Sequence, residues 1–266
     1  MTARVLIIAG SDSGGGAGIQ ADIKTVTALG GYAMTAITAI TVQNTLGVSA
    51  VHDVPADIIS GQINAVLDDL GADVIKFGML SSTAIIEAVA KTLGIRKIPR
   101  VVDPVMRAKG GHALLADDAA AALKRHLIPG AAVLTPNLPE AEALTGRKIL
   151  TVNDMSEAIP DLLQLGADAV LLKGGHLTGE RIVDMLITPR EVLRFEDERI
   201  HTTATHGTGC TLASAIATSL AQGLALRDAV ARARAYVREA MRTAVKLGEG
   251  HGPLNHGHTV TRFPRN

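Results

Sequence analysis

Cysteine is all but absent from this chain: Cys210 is the only one in 266 residues. No intrachain disulfide can form, and such a chain suits a reducing compartment. Tryptophan is missing altogether, and three Phe and two Tyr hold the aromatic content at 2 %. The core must therefore be built from Ala, Val, Ile and Leu, and base-stacking platforms for single-stranded nucleic acid are not expected. An excess of one charge is also lacking. Lys and Arg number 26, Asp and Glu 26, and the formal net charge is zero. No global field draws the chain to nucleic acid or to an anionic membrane, although local basic pockets remain open. No apolar run approaches the ~18 residues of a membrane helix. The first apolar stretch, Val5-Leu6-Ile7-Ile8-Ala9, is too short for a signal-peptide core of about 7–15 residues and reads as a buried strand. The expectation is a cytoplasmic protein with neither membrane nor nucleic-acid partner. No G-x-x-x-x-G-K-[ST] occurs either, which excludes a P-loop nucleotidase.

What is present is a large apolar fraction, 47 %, against 20 % charged residues, so disorder is excluded as the main state. Apolar, β-branched runs at Val5–Ala9, Met34–Thr41, Asp73–Phe77, Arg100–Asp103, Ala132–Leu134 and Ala169–Leu172 mostly lack polar alternation, as strands buried on both faces should. Helical stripes fill the gaps: Ile19, Ile23 and Val26; Ile58, Ile59, Ile63, Val66 and Leu67; Leu212, Ile216 and Leu220; and a long final one from Ala229 to Ala244. Strands alternating with helices predict an α/β fold, a three-layer α/β/α sandwich with a mainly parallel central sheet. Arg181–Leu186 and Glu191–Phe195 flank Thr188-Pro189-Arg190 and read as an edge hairpin. No repeat or Pro/Ser-rich linker interrupts the chain, so one domain spanning 1–266 is expected. Gly248–His258 reads as a loop.

Ligands of open α/β sheets sit beyond the carboxyl ends of the strands. Polar and glycine residues gather at those points here. After the first strand comes Ser11-Asp12-Ser13-Gly14-Gly15-Gly16-Ala17-Gly18, in which Gly16–Ala21 matches the dinucleotide pattern G-x-G-x-x-G/A. The acid expected ~20 positions later is missing, since no Asp or Glu lies between Asp22 and Asp53. A tight turn or a small-molecule pocket fits better. Thr205-His206-Gly207-Thr208-Gly209-Cys210-Thr211 leads into a helix. Glycines at a helix start present free N–H groups at the positive end of the dipole, which suits a transferring phosphoryl group. Cys210 falls in the first turn, where a thiol is expected to shift toward thiolate and could accept a hydroxyl proton; inert packing is the alternative. Asn137-Leu138-Pro139-Glu140 offers hard oxygen ligands for Mg²⁺, or an ordinary helix start. Lys173, between an apolar strand and Gly174-Gly175, can pair with phosphates. His251, His256 and His258 have no metal-ligand spacing and read as part of a capping loop.

Together these segments are recognisable. With Thr41-Val42-Gln43-Asn44, Lys76-Phe77-Gly78-Met79-Leu80, Asp103-Pro104-Val105-Met106, Lys173-Gly174-Gly175-His176 and Gly252-Pro253-Leu254-Asn255-His256, they make nearly the whole chain resemble the hydroxymethylpyrimidine/phosphomethylpyrimidine kinases of thiamine biosynthesis, in the ribokinase-like superfamily. The resemblance implies a ribokinase-like fold and an ATP- and Mg²⁺-dependent kinase acting twice, on 4-amino-5-hydroxymethyl-2-methylpyrimidine and then on its monophosphate. It implies that Gly207, Thr208, Gly209 and Cys210 form the catalytic anion hole. Lys173, with Asn137, Thr208 and Gly209, would contact ATP phosphates, and Glu140, with Asn137 and Asp103, would serve Mg²⁺. Gly10, Ala17, Gln43, Met79 and Val105 would line the pyrimidine pocket, with Gln43 bonding the ring. A homodimer is implied as well. Ribokinase-like enzymes usually carry Asp at the position of Cys210, and the pyrimidine-kinase branch often carries Cys. Relatives that phosphorylate pyridoxal efficiently can carry a second Cys after Asp-Pro-Val-Met. Here Arg107-Ala108-Lys109-Gly110-Gly111 has none, so strong pyridoxal kinase activity, the alternative function, is not expected.

Overall fold

The computed structural model describes residues 2–107, 111–112, 114–116 and 118–261. Ala108–Gly110, the centre of the loop that follows Asp103-Pro104-Val105-Met106, lie outside the described residues.

Nine strands form one sheet among the described residues: β1 (Arg4–Asp12), β2 (Tyr32–Gln43), β3 (Val48–Asp53), β4 (Val74–Phe77), β5 (Arg100–Val102), β6 (Val133–Leu134), β7 (Val170–Lys173), β8 (Arg181–Ile187) and β9 (Val192–Glu198). Their order is β3-β2-β1-β4-β5-β6-β7-β8-β9. Pairing is parallel from β2 through β7, and antiparallel at both edges, where β3 joins β2 and where β7, β8 and β9 meander. The helices are α1 (Gly18–Ala28), α2 (Ala56–Asp69), α3 (Thr83–Leu93), α4 (Ala119–His126), α5 (Leu138–Thr145), α6 (Val152–Glu157), α7 (Ile159–Leu163), α8 (Thr208–Ala221) and α9 (Leu226–Arg242), followed by a 3-10 turn at His256–Thr259.

The unbroken apolar runs have a direct explanation. In β1, Leu6 and Ile8 enter one core with Ile59, Ile63, Ile86 and Leu127, while Val5 and Ile7 enter another with Val26, Ile216 and Val230. A strand covered on both faces cannot afford polar alternation, because each buried Leu or Ile stabilises by about 1.5–3 kcal/mol relative to exposure. The two cores are the two interfaces of an α/β/α sandwich. Helix α8 lies so close to the sheet that Ala213, Ala215 and Ala217 are wholly buried.

The expected strands and the 181–195 hairpin are present within a few residues of their sequence bounds. Strand β3 was not anticipated. It is an edge strand, almost entirely exposed and carrying Ser49, His52 and Asp53, so it leaves no core pattern. Helix α8 starts at Thr208, four residues before the apolar stripe that marks it in sequence.

Candidate active site

The carboxyl ends of β1, β5, β6 and β7 open on the side where α8 begins. Gly207 is the N-cap of α8 and adopts φ +81°, a left-handed conformation. A Cβ there would also lie 1.9 Å from the Gly16 carbonyl oxygen, so only glycine fits. The two glycine-rich turns therefore meet backbone to backbone. Thr208, Gly209 and Cys210 follow in the first helical turn, where backbone N–H groups have no intrahelical acceptor. Thr211 Oγ1 donates to the Gly207 carbonyl at 2.8 Å and lies 2.9 Å from His256 Nε2.

Facing that turn is a charged cluster. A Cβ on Gly209 would lie 3.5 Å from both Lys173 Nζ and Asp103 Oδ2. Lys173 Nζ, at the end of β7, is 3.1 Å from Asp103 Oδ1 and 4.0 Å from Glu140 Oε2. Thr135 Oγ1 donates to Asp103 Oδ1 at 3.1 Å. Burial alone would depress the Lys173 ammonium, but Asp103 and Glu140 hold it above its ordinary value. Burial lifts Glu140 to about 7, against the pull of Lys173 and with the push of Asp103. Asn137 and Glu140 form a reciprocal capping box on α5: Glu140 N donates to Asn137 Oδ1 at 2.9 Å and Asn137 N to Glu140 Oε2 at 2.8 Å. The ordinary helix start is thus real, and the same carboxylate still borders Lys173.

Cys210 overturns one expectation. Its thiol is not shifted toward thiolate; burial pushes it up to about 12, and Lys76 pulls it back less than burial, Asp22 and Asp103 push it. The helix end is outweighed by burial, with Asp22 and Asp103 adding to it. Lys76 lies beneath the site, wholly buried in β4, with Nζ 3.0 and 2.9 Å from the two Asp22 oxygens. Ser214, one turn after Cys210, donates to Asp22 Oδ1 at 2.7 Å. Burial would discharge Lys76, but Asp22 keeps it protonated well above the usual lysine range. Lys76 belongs to a segment that marks the resemblance, but neither it nor Asp22 is given a function from sequence. The available signal was a lysine inside the apolar run Val74–Phe77.

The first glycine turn is organised by Asp12. Its Oδ1 accepts from Gly14 N at 2.8 Å, and its Oδ2 accepts from Gly16 N at 3.0 Å and Ala17 N at 2.8 Å. His206 Nε2 lies 2.8 Å from the same Oδ2. Although burial opposes it, the His206 hydrogen bond and the backbone donors hold Asp12 below the usual carboxylate range. The ionised carboxylate only accepts, so His206 Nε2 carries a proton and donates. The amide nitrogen of Gln43, 3.3 Å from that atom, then finds no acceptor there. Thr41 Oγ1, 3.0 Å from Gln43 Oε1, fixes the other end of the amide. Gln43 ends β2, Ala17 caps α1, and Gly10 backs onto Met79, whose Sδ would lie 3.0 Å from a Cβ at that glycine. Val105 is half-buried two residues beyond Asp103. The expected residues thus form two neighbouring groups, one around Gln43, Ala17, Gly10 and Met79, the other around Lys173, Asp103, Glu140 and the α8 turn. Asp12 and His206 join the two glycine turns, a function not foreseen from sequence.

The phosphomethylpyrimidine kinase family's sequence profile matches residues 12–255. The chain belongs to this family. It is 49 % identical over 263 residues to the hydroxymethylpyrimidine/phosphomethylpyrimidine kinase of Rhizobium meliloti, covering 97 % of this chain and 98 % of that one. It is 54 % identical over 253 residues to the thiamine biosynthesis bifunctional protein ThiED of Geobacter sulfurreducens, with 95 % of this chain aligned but only 52 % of that protein, about half its length. Among solved structures, Bacillus subtilis pyridoxal kinase in an ADP complex superposes with a TM-score of 0.89 at 39 % identity, covering 97 % of this chain and 98 % of that one. The fold is ribokinase-like.

As a member of the phosphomethylpyrimidine kinase family, the chain is a phosphotransferase. The donor set fits a magnesium ion that arrives with phosphates. Asp103 and Glu140 supply hard carboxylate oxygens, and among the described residues no group of three or more His, Cys, Asp or Glu is placed to cage a metal without them. His251, His256 and His258 do not converge: His256 bonds Thr211, His258 stacks near Tyr236 with ring centroids 4.7 Å apart, and His251 Nδ1 lies 3.3 Å from Thr205 Oγ1.

Proposed function

We propose that the chain, as a single kinase domain over 1–266, transfers phosphate from ATP first to 4-amino-5-hydroxymethyl-2-methylpyrimidine and then to the resulting monophosphate. One observation carries this reading: Lys173 and Asp103, with Glu140 beside Lys173, face the amide-lined turn Gly207–Cys210, next to the group formed by Gln43, Ala17, Gly10 and Met79. Phosphoryl transfer needs little covalent help from protein; positioning and charge stabilisation dominate. In this reading the N–H groups of Thr208, Gly209 and Cys210 cradle the moving phosphoryl oxygens, and Lys173 and Asn137 hold ATP phosphates. Asp103 and Glu140 would hold Mg²⁺, which would offset the charge of the phosphates when bound. Cys210 takes the hydroxyl proton. Because it rests as a thiol, it must first lose its own proton to solvent, an ionisation that Lys76 favours and burial opposes.

Gln43 supplies the specificity. Its amide offers a donor and an acceptor to a ring that carries an amino donor and ring-nitrogen acceptors, and Thr41 Oγ1, donating to its oxygen at 3.0 Å, orients it. A cytoplasmic homodimer belongs to the same reading. Ile40, Val42, Leu46 and Val51 are exposed apolar residues on or beside the β2–β3 flap, a surface suited to a second copy.

Calorimetric titration with the pyrimidine tests the assignment. Gln43→Leu leaves ring polar groups unpaired, a loss of about 1–3 kcal/mol, or roughly 5- to 150-fold in affinity. ATP affinity should change little, and pyridoxal should bind the native chain more weakly than the pyrimidine. Unaltered pyrimidine affinity in Gln43→Leu, or tighter pyridoxal binding, would sink the assignment.

A further inference from the structure

The loop after Lys173 is tied down by two guanidinium groups that the reaction itself does not call on. Gly174 N donates to Asp184 Oδ1 at 2.9 Å, and Asp184 is in turn salt-bridged by Arg234 of α9. Arg199 holds the other side. It is the first residue past β9, and its Nε donates to the Gly179 carbonyl at 2.7 Å, Nη1 to Gly175 at 3.0 Å and Nη2 to Leu177 at 2.5 Å. Its backbone N–H donates to the Glu180 carbonyl at 2.6 Å, and His201 Nε2 lies 3.0 Å from Glu180 Oε2.

Three carbonyls of one short loop thus turn onto one planar cation. Only a guanidinium offers donors spread across a rigid plane in this way; an ammonium presents a single point. The position of the clasp matters. Upstream, the loop begins at Lys173. Downstream, Arg199 opens the segment that runs to Gly207, the cap of α8. The clasp therefore ties the loop that leaves Lys173 to the start of the segment that leads to Gly207. We propose that Arg199 is a positioning residue that sets the Gly174–Glu180 loop, and with it Lys173, against the Gly207 turn for nucleotide binding. The inference rests on the reading of Lys173 as a phosphate contact.

The experiment is calorimetric binding of ATP and, separately, of the pyrimidine, to the full chain and to Arg199→Ala, Arg199→Lys and Lys173→Met. Arg199→Ala should bind ATP about tenfold or more weakly, with pyrimidine affinity unchanged. Arg199→Lys should recover only part of the loss, and millimolar guanidinium ion should restore ATP binding to Arg199→Ala but not to Lys173→Met. Should the alanine variant not fold, the lysine variant carries the same test, since it keeps the charge and loses the fork. Unchanged ATP affinity in the Arg199 variants beside a loss in Lys173→Met overturns the inference alone. Unchanged affinity in all three overturns the Lys173 reading with it. Equal losses for ATP and pyrimidine would mark Arg199 as generally structural and overturn the positioning role.

Discussion

Lys76 is wholly buried in the middle of an apolar strand, and its only charged hydrogen-bonding partner among the described residues is Asp22. Removing one partner of such a pair typically costs about 3–5 kcal/mol, because the other charge is stranded. The pair is therefore a fixed feature of the floor on which Cys210 rests, and it decides what that thiol can do. With Cys210 held up to about 12, the thiolate is scarce at neutral pH and grows with every unit of pH. Turnover on the hydroxymethyl substrate should accordingly rise with pH between 7 and 9. Turnover on the monophosphate should stay flat, since a phosphate acceptor with a second pKa of ≈ 6 is already ionised. Cys210→Ala should reduce the first transfer by ~10²-fold or more, and the second by less, as expected where a positioned proton acceptor is lost. Stopped-time assays on the two substrates check both. A first transfer that is independent of pH, or unharmed in Cys210→Ala, would remove the thiol from the mechanism.

At the scale of elements, α5 illustrates one residue serving two ends. Glu140 closes a capping box and also borders Lys173. Its carboxyl, raised to about 7 by burial, is largely neutral at pH 6 and largely ionised at pH 8. The Mg²⁺ concentration for half-maximal activity should therefore fall as pH rises through 7. Glu140→Gln keeps a side-chain acceptor for the Asn137 N–H, so α5 should persist, while the Mg²⁺ requirement rises and loses its pH dependence. Mg²⁺ titrations at pH 6 and 8 decide. An unshifted curve with only a lower melting temperature would reduce Glu140 to a helix cap. The elements also show what a sequence can display. Strands β1, β4 and β7 were legible because burial on both faces demands unbroken apolar runs, and the Gly207 turn because a left-handed cap demands glycine. Strand β3 was not legible, since an exposed edge imposes no pattern. The raised Cys210 thiol was not legible either, because its causes, burial first and then Asp22 and Asp103, arise only through the fold.

At the scale of the whole molecule, the C-terminal segment returns to the site. Asn255 N donates to the Ala240 carbonyl at 3.0 Å, Tyr236 OH donates to the His256 carbonyl at 2.7 Å, and His256 bonds the Thr211 hydroxyl that braces Gly207. Burial depresses His256 to about 4. An unfolded histidine titrates near ~6.5, so below that pH the unfolded chain takes up a proton that the folded chain refuses. Stability from this group is complete above ~6.5 and is lost as pH falls toward ~4, by at most ~1.4 kcal/mol per pH unit. His256→Gln should flatten that slope; urea midpoints at pH 7 and pH 5 measure it, and an identical pH dependence in the variant would refute the assignment. In the proposed reaction, one site, assembled from two glycine turns, Lys173 and two carboxylates, phosphorylates the pyrimidine twice. The most direct measurement is the stoichiometry of ADP released per pyrimidine at exhaustion, with the product read by mass spectrometry. Two ADP and a pyrimidine pyrophosphate are predicted; one ADP and an accumulating monophosphate, or ADP released with pyridoxal but not with the pyrimidine, would contradict it.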